Sequence, residues 1–486
     1  MKRIAIVGGG IAGLAAAYEL EQQRKAGADM DWHLYEASDH LGGIVETTRI
    51  ATPEGSYVLE GGPDGWVTDK PWARELAEEL GLGQEIIVCN DADRKTWIVL
   101  DGRLQAIPDG MRMMVPEDLE AVDQSSLFSE TAKRAFHEEL TRSEDLKRSI
   151  PDGDESVASF VRRHFGHEVL TKVGAPLLSG VFGGDVERLS VRAVMPAFVR
   201  MEREHGSLIA AIQRQSRARG EQRRTPVFTS LRRGMGSLVE AMAAKLPEDR
   251  IHLEQAAASL KREGKLWCLR TMKGLGKSKR HFHHVLLAAP VDEARRLLLP
   301  LDAEASRLVP AEASSATLAA FCWPARVDSG RTLRQITVPP GFGFLNPQVN
   351  TGSGGGESPQ LLAATFVDQK FPDRAPEGAR VIRVFFGSGS AEFFREMPDA
   401  DVARVALEAL RELMGPLPDP DESLTTVRRW PRSLPQYEVG HMDRMAQLDE
   451  LVARIGSLTL LGNSYRGVGV PDLIHAARNA ARAIAL

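Results

Sequence analysis

Gly8, Gly10 and Gly13 stand at the spacing G-x-G-x-x-G, and an acid, Glu36, follows about twenty residues later, a set that can hold a dinucleotide. Each residue has its own task. Gly8 permits a tight turn, Gly10 lets the backbone approach a pyrophosphate, and Gly13 lets helix and strand pack closely. The phosphates then rest on the positive end of the helix. Glu36 can accept hydrogen bonds from an adenosine ribose, and its charge repels a 2′-phosphate. These groups need particular elements around them. Residues 4–7, Ile-Ala-Ile-Val, read as a buried parallel strand, residues 14–23 as a helix, and residues 32–35 as a second strand ending at Glu36. Glycines alone would signal only turns; strand, loop, helix, strand and terminal acid in order make a nucleotide site. The two cations before the apolar run also suit a secretory leader, but the glycine turn and a helix carrying Glu19 and Glu21 suit the nucleotide fold better.

A second pair, Gly42-Gly43, lies too close to Glu36 to start another nucleotide fold; it is an ordinary turn or adds N–H groups to the same pyrophosphate. Residues 462–470 form a glycine-bearing loop between a strand at 458–461 and a helix beginning at Pro471, again aiming a helix N-terminus at an anionic group. His281, His283 and His284 offer imidazoles at a spacing wrong for a helical metal pair, with no acid or cysteine beside them; the run reads as a loop entering a strand at 285–288. Cys89, Cys268 and Cys322 lie far apart, so neither a disulfide framework nor a zinc site is indicated, which suits a reducing cytosol.

At 486 residues the chain should form more than one domain, and 43% hydrophobic with 26% charged content is ordinary for a soluble enzyme. A net charge of −5 gives no support to nucleic-acid binding, and no apolar run is long enough for a membrane-spanning helix. Residues 57–60 read as a strand ending in the tight turn Gly61-Gly62-Pro63, and residues 97–107 as a hairpin about Asp101-Gly102. From 117 to about 201 the texture is helical. Arg162, Arg163, Arg192, Arg200 and Arg203 with Met111, Met113, Met114 and Met195 there suit either a surface resting on a membrane or a helical subdomain with solvated charge. Residues 227–246 repeat the strand, glycine, helix texture, and strands follow at 251–253 and 266–271. Pro290 starts a helix to residue 298. Strands at 318–323, 341–345, 361–367 and 381–386 should be mostly antiparallel, residues 351–358 a glycine-rich mobile loop, and residues 401–414 an amphipathic helix.

A nucleotide unit opened at one chain end and closed at the other suits FAD. The chain resembles, end to end, the FAD-dependent protoporphyrinogen/coproporphyrinogen oxidases of the monoamine oxidase and phytoene desaturase superfamily. Residues 7–20, Glu36 with Leu41-Gly42-Gly43, and Glu60-Gly61-Gly62-Pro63 are shared across that superfamily. Residues 176–185 (PLLSGVFGGD), 341–345 (GFGFL), 430–437 (WPRSLPQY) with Gly440-His441, and 462–470 (GNSYRGVGV) are particular to the porphyrinogen oxidases. The resemblance implies an α/β fold: a Rossmann-like FAD-binding domain built from both chain ends, a mixed α+β substrate domain and a helical insertion. The pieces would be FAD binding at 1–90, 206–300 and 426–486, a substrate-domain hairpin at 91–110, a membrane-contacting helical insertion at 111–205, and the substrate domain at 301–425. It implies FAD held by Gly8, Gly10, Ile11, Gly13, Glu36, Gly42, Gly43, Gly62, Ala257, Trp430, Gly462, Val468, Gly469 and Val470, and a tetrapyrrole bound by Gly180, Leu345 and Phe385. Leu345 and Phe385 would also pass as ordinary core residues.

The implied chemistry is a six-electron oxidation of protoporphyrinogen IX or coproporphyrinogen III. Bridging sp³ carbons give hydride to flavin N5, pyrrole protons leave to water, O₂ accepts the electrons as peroxide, and no side-chain base is catalytic. No metal is implied. Cytoplasmic placement, peripheral contact with the inner face of the membrane and a homodimer are implied too. There are departures. His40 and Ile44 replace basic residues beside Gly42-Gly43, and Thr96, with Arg94 and Lys95 nearby, stands where plant and animal relatives carry a propionate-pairing arginine. Thr96 cannot form an ion pair, which resembles the bacterial coproporphyrinogen enzymes and leaves the substrate open. An amine oxidase or desaturase of the superfamily remains an alternative, although residues 462–470 lack a flavin-tethering cysteine; a non-catalytic flavin scaffold is another.

Overall fold

A computed structural model describes residues 1–219, 226–325, 327–328, 333–334, 336–347 and 359–485; the glycine-rich loop read at 351–358 lies outside them. Lys2–Val7 forms the central strand of a five-stranded parallel sheet in the order Ile251–His252, Met30–Tyr35, Lys2–Val7, His284–Leu287, Leu458–Leu460. By position in the chain the order is 3-2-1-4-5, which opens a crevice where the chain reverses direction across the sheet, at the carboxyl ends of its strands. Alternation along the central strand covers both faces. Ile4 and Ile6 turn toward the helices Ile11–Lys25 and Val470–Ala485, whose Ala15, Ala16, Ala17, Ala477 and Ala481 permit close approach. Ala5 and Val7 turn toward a three-stranded antiparallel sheet, Ala256–Glu263, Leu266–Lys273 and Gly276–Phe282, through Leu260, Trp267 and Phe282. The unit is Rossmann-like and assembled from both chain ends and the middle.

A second sheet has seven strands: Thr425–Pro435, Ala313–Trp323, Arg380–Gly387, Ala363–Phe366, Gly343–Leu345, Thr96–Leu100 and Arg103–Ala106. The expected hairpin is its last pair, with Asp101 at φ 50 and Gly102 at φ 70, the left-handed pair that a two-residue turn needs. All pairings are antiparallel except Gly343–Leu345 on Thr96–Leu100, which is parallel. Phe344, Ala364, Val384 and Phe386 pack beneath the helix Asp399–Met414. The opposite face carries Thr96, Leu345, Ala363, Arg383 and Phe385.

The insertion packs Glu130–Thr141, Val157–Val169, Ala175–Phe182 and Pro196–His205 around Phe136, Phe160, Phe165 and Val173. Several expectations shift. Leu208–Arg219 belongs to this helical core, past the boundary at 205, because the Glu139 carboxylate accepts the Ser207 hydroxyl and the Leu208 N–H at its start. Thr425–Pro435 likewise carries the seven-stranded sheet past 425. Met114 and Met195 are buried core, and Met111 and Met113 pack against it, so the methionines do not furnish a membrane-facing surface. The histidine run is not a loop: His281 and Phe282 end one strand and His284 begins the next.

Candidate functional site

The glycine loop sits at the carboxyl end of the central strand, and its three glycines meet different surroundings. A Cβ on Gly8, which has φ +107, would lie 2.2 Å from the Ala288 carbonyl oxygen, and one on Gly13 would lie 1.9 Å from that of Gly8. Among the described residues Gly10 has nothing within 4 Å of its absent Cβ, and it begins Ile11–Lys25 with no side-chain cap. Gly8 and Gly13 are therefore turn and packing glycines, whereas Gly10 borders open space before uncapped helix N–H groups, a cradle suited to phosphate. Glu36 accepts the Gly9 N–H at 2.5 Å and the Ser38 N–H at 2.8 Å, which fixes its carboxylate beside the loop. Gln255 N–H donates to the Glu36 carbonyl at 2.7 Å, so Ala257, near the start of Ala256–Glu263, comes to the same end.

Away from Glu36 the cradle continues. Gly43, with φ +59, places its absent Cβ 3.3 Å from Gly10 Cα, and a Cβ on Gly62 would lie 1.8 Å from the Ile44 carbonyl oxygen. Gly42 does not offer its N–H to a ligand, since that group donates to the Gly9 carbonyl at 2.9 Å; the positive turn is spent on closing loop against loop. Trp430 Nε1 donates to the Gly61 carbonyl at 2.6 Å, seating its indole beside the strap of residues 60–64. Gly462, with φ +117, also has nothing within 4 Å of its absent Cβ among the described residues, and Val468 and Gly469 lead into Val470–Ala485. Glu36, Gly10, Gly43, Gly62 and Trp430 thus run as one strip, which fits an extended dinucleotide with its adenosine at Glu36.

The substrate candidates meet on the open face of the large sheet. Leu345 pairs with Ala363, and Ala363 with Phe385, so the three form one row across adjacent strands. Leu345 and Phe385 are two strand spacings apart, about 10 Å, and the methyl of Ala363 leaves a slot between them. Gly180 closes one end: a Cβ there would lie 3.6 Å from Leu345 Cδ2. Thr96, half-buried, lies one row along, paired with Gly343.

Sequence reasoning missed Ala363, since nothing local marks it, and a buried ionic network. Arg374 Nη1 donates to Glu60 Oε1 at 2.5 Å, Lys370 Nζ lies 2.9 and 3.0 Å from the Asp64 oxygens, and Arg383 Nη2 donates to the Gly62 carbonyl at 2.5 Å. Burial opposes the charge on Asp64, yet Lys370 and Arg383 outweigh it and hold the carboxyl down to about 2. A charged residue inside the apolar run 381–386 was the available signal for Arg383. An acid and a cysteine do join one histidine: Glu263, Cys268 and His281 bring ligand atoms within 4.8 Å of one another on the outer antiparallel sheet, where Lys279 also bridges Glu263. The partners come from three strands, which is why local spacing hid them. A cavity of about 450 Å³ lies on the reverse side of the large sheet, beside Phe321, Leu407 and Val427, apart from the slot.

The family model for flavin containing amine oxidoreductases matches residues 11–485. Coproporphyrinogen III oxidase of Bacillus subtilis (strain 168) is 29% identical, over 97% of this chain and 96% of its own. Chloroplastic protoporphyrinogen oxidase of Oryza sativa subsp. japonica is 25% identical, over 99% and 87%. A crystal structure from Exiguobacterium sp. 255-15, provisionally named a protoporphyrinogen oxidase, superposes with a TM-score of 0.82 at 29% identity, covering 100% of this chain and 98% of that one.

Proposed function

The chain belongs to the flavin-containing amine oxidoreductases, and from that premise we propose that it oxidises a porphyrinogen to the porphyrin in haem biosynthesis, with coproporphyrinogen III preferred over protoporphyrinogen IX. The observation that carries the reading is the end-to-end likeness to a protein named coproporphyrinogen III oxidase; the slot between Leu345 and Phe385 supports it. Bound FAD would supply a two-electron acceptor for each of three oxidations, with O₂ as the final acceptor. Gly10 and Ile11, in the turn that Gly8 and Gly13 shape, would cradle its pyrophosphate, Glu36 and Ala257 its adenosine, and Gly43, Gly62, Trp430, Gly462 and residues 468–470 its remaining length, with Gly42 bracing the loop. Leu345 and Phe385 grip the macrocycle, Gly180 leaves room at its edge, and the apolar walls hold a bridging carbon toward the acceptor. Pyrrole protons leave to water, so no side chain is assigned as a base. Thr96 contributes no charge, which leaves room for additional propionates rather than pairing one of them.

The test is porphyrin fluorescence when the FAD-loaded protein, in air, meets each porphyrinogen separately. Faster turnover of coproporphyrinogen III is expected; a preference for protoporphyrinogen IX overturns the substrate assignment, and silence with both overturns the reaction in favour of an amine oxidase or desaturase. Cytoplasmic placement, a homodimer and peripheral membrane contact belong to the same proposal. With the methionines in the core, the membrane reading rests on exposed arginines such as Arg200 and Arg203; among the described residues no helix is long and apolar enough to cross a membrane. Co-sedimentation with anionic liposomes at low salt is the expected result, and its absence removes that part.

A further inference from the structure

Among the described residues, three buried cations around the strap of residues 60–64 share two carboxylates. Arg374 is matched by Glu60 and Lys370 by Asp64. Arg383, 2% exposed, reaches Asp64 only at 3.5 Å, spends Nη2 on the Gly62 carbonyl, and keeps Nε without a partner among the described residues. The nearby acids are committed elsewhere: Glu46 to Arg428, Asp368 to Arg380 and Asp373 to Arg232. Among the described residues the strap therefore encloses one cation in excess. An uncompensated buried charge is costly, and a fold keeps one where negative charge arrives to meet it. The position of this one is informative. Gly62, whose carbonyl Arg383 holds, packs on Ile44 directly after Gly43, and Gly43 packs on Gly10. The excess cation lies at the end of the dinucleotide strip remote from Glu36, and its guanidinium also sits 5.1 Å from the ring of Phe385.

We propose that Arg383 is a positioning residue which holds a positive field at the isoalloxazine end of bound FAD, so that the flavin accepts negative charge more readily, while it fixes the strap and the Phe385 ring against one another. The inference rests on FAD lying along the Gly43–Gly62 strip, not on the identity of the substrate. It differs from the effect of a helix N-terminus because it comes from one removable side chain and is balanced by an identifiable acid.

The opposed variants Arg383→Gln and Asp64→Asn test it on the FAD-loaded protein, with sulfite binding and the two-electron reduction potential as readouts and thermal unfolding followed alongside. Sulfite adds to the flavin as an anion and leaves it negatively charged, so a positive field tightens the adduct. Arg383→Gln removes the excess cation; sulfite affinity should fall at least tenfold and the potential should drop by about 30 mV for a tenfold effect. Asp64→Asn removes a balancing acid; both readouts should move the opposite way, and Arg383→Lys should stay near the parent. General damage to the strap would move both variants in one direction. Movement in one direction, or no movement with FAD retained, overturns the proposal. If Arg383→Gln fails to retain FAD, the sign of the Asp64→Asn shift decides alone.

Discussion

Gly10 and Gly13 look equivalent in a motif and are opposites in space. A methyl on Gly13 would drive into the Gly8 carbonyl at 1.9 Å, whereas one on Gly10 meets nothing within 4 Å among the described residues. Gly13→Ala should therefore cost the fold itself, read as loss of soluble protein or a collapsed unfolding temperature. Gly10→Ala should cost the apoprotein about 1 kcal/mol or less, the ordinary loss for alanine at a helix cap, while FAD affinity falls at least tenfold because the methyl occupies the phosphate approach. Equal damage from both would mean that Gly10 is not at the pyrophosphate. The slot gives a second residue-scale prediction. Ala363→Leu fills the space between Leu345 and Phe385 on a half-buried strand position, so porphyrinogen kcat/KM should fall at least tenfold while FAD content stays at one per chain. Undiminished turnover would place the substrate elsewhere. The motif residues could be named from sequence because their chemistry is local; Ala363 could not, since its importance arises only when three strands come into register.

Elements were legible where the pattern was periodic. The central strand, its helix, the hairpin at Asp101-Gly102 and the terminal helix all stand where alternation, turn chemistry and helical spacing put them. What escaped was pairing across distance: the parallel contact of Gly343–Leu345 with Thr96–Leu100, the histidines divided between two strands, and methionines absorbed into the helical core. That core holds a titratable element. His164, fully buried, lies 2.9 Å from Glu139 and 3.1 Å from Glu202. Burial opposes its charge, but hydrogen bonds to those carboxylates outweigh the cost and raise its pKa above the ordinary 6.5. Since the folded value is the higher one, the stabilisation is complete below pH 6.5 and is lost as the pH rises through the folded pKa. Unfolding temperature should accordingly fall as pH rises above 6.5, and His164→Gln should flatten that slope; an unchanged slope in the variant would assign the effect to another group.

At the scale of the molecule, the flavin half exists only when distant pieces of chain meet. The central sheet takes strands from near residues 2–35, 251–287 and 458–460, and its helical cover joins the first helix to the last. A sequence reader can see that both ends carry glycine loops before helices, but not that Lys70 binds Asp472 at 2.6 Å or that Arg478 and Arg482 clamp Glu19; such contacts exist only in the folded chain. Truncation after residue 469 tests this dependence. It leaves every residue of the Gly8–Gly13 loop in place and removes Leu473, Ile474, Ala477, Ala481 and Ile484 from the core. Large apolar side chains contribute about 1.5–3 kcal/mol each on burial, so the loss rivals the whole stability of a typical domain, roughly 5–15 kcal/mol. The truncated protein should purify without FAD, and the amides of Ile4–Val7 should exchange with solvent at least a hundredfold faster. The seven-stranded sheet, whose strands all precede residue 436, should retain slower exchange at Val381–Phe386. FAD held at full stoichiometry by the truncated chain would show that the glycine loop and its helix suffice, and that the carboxyl end is a cover rather than part of the site.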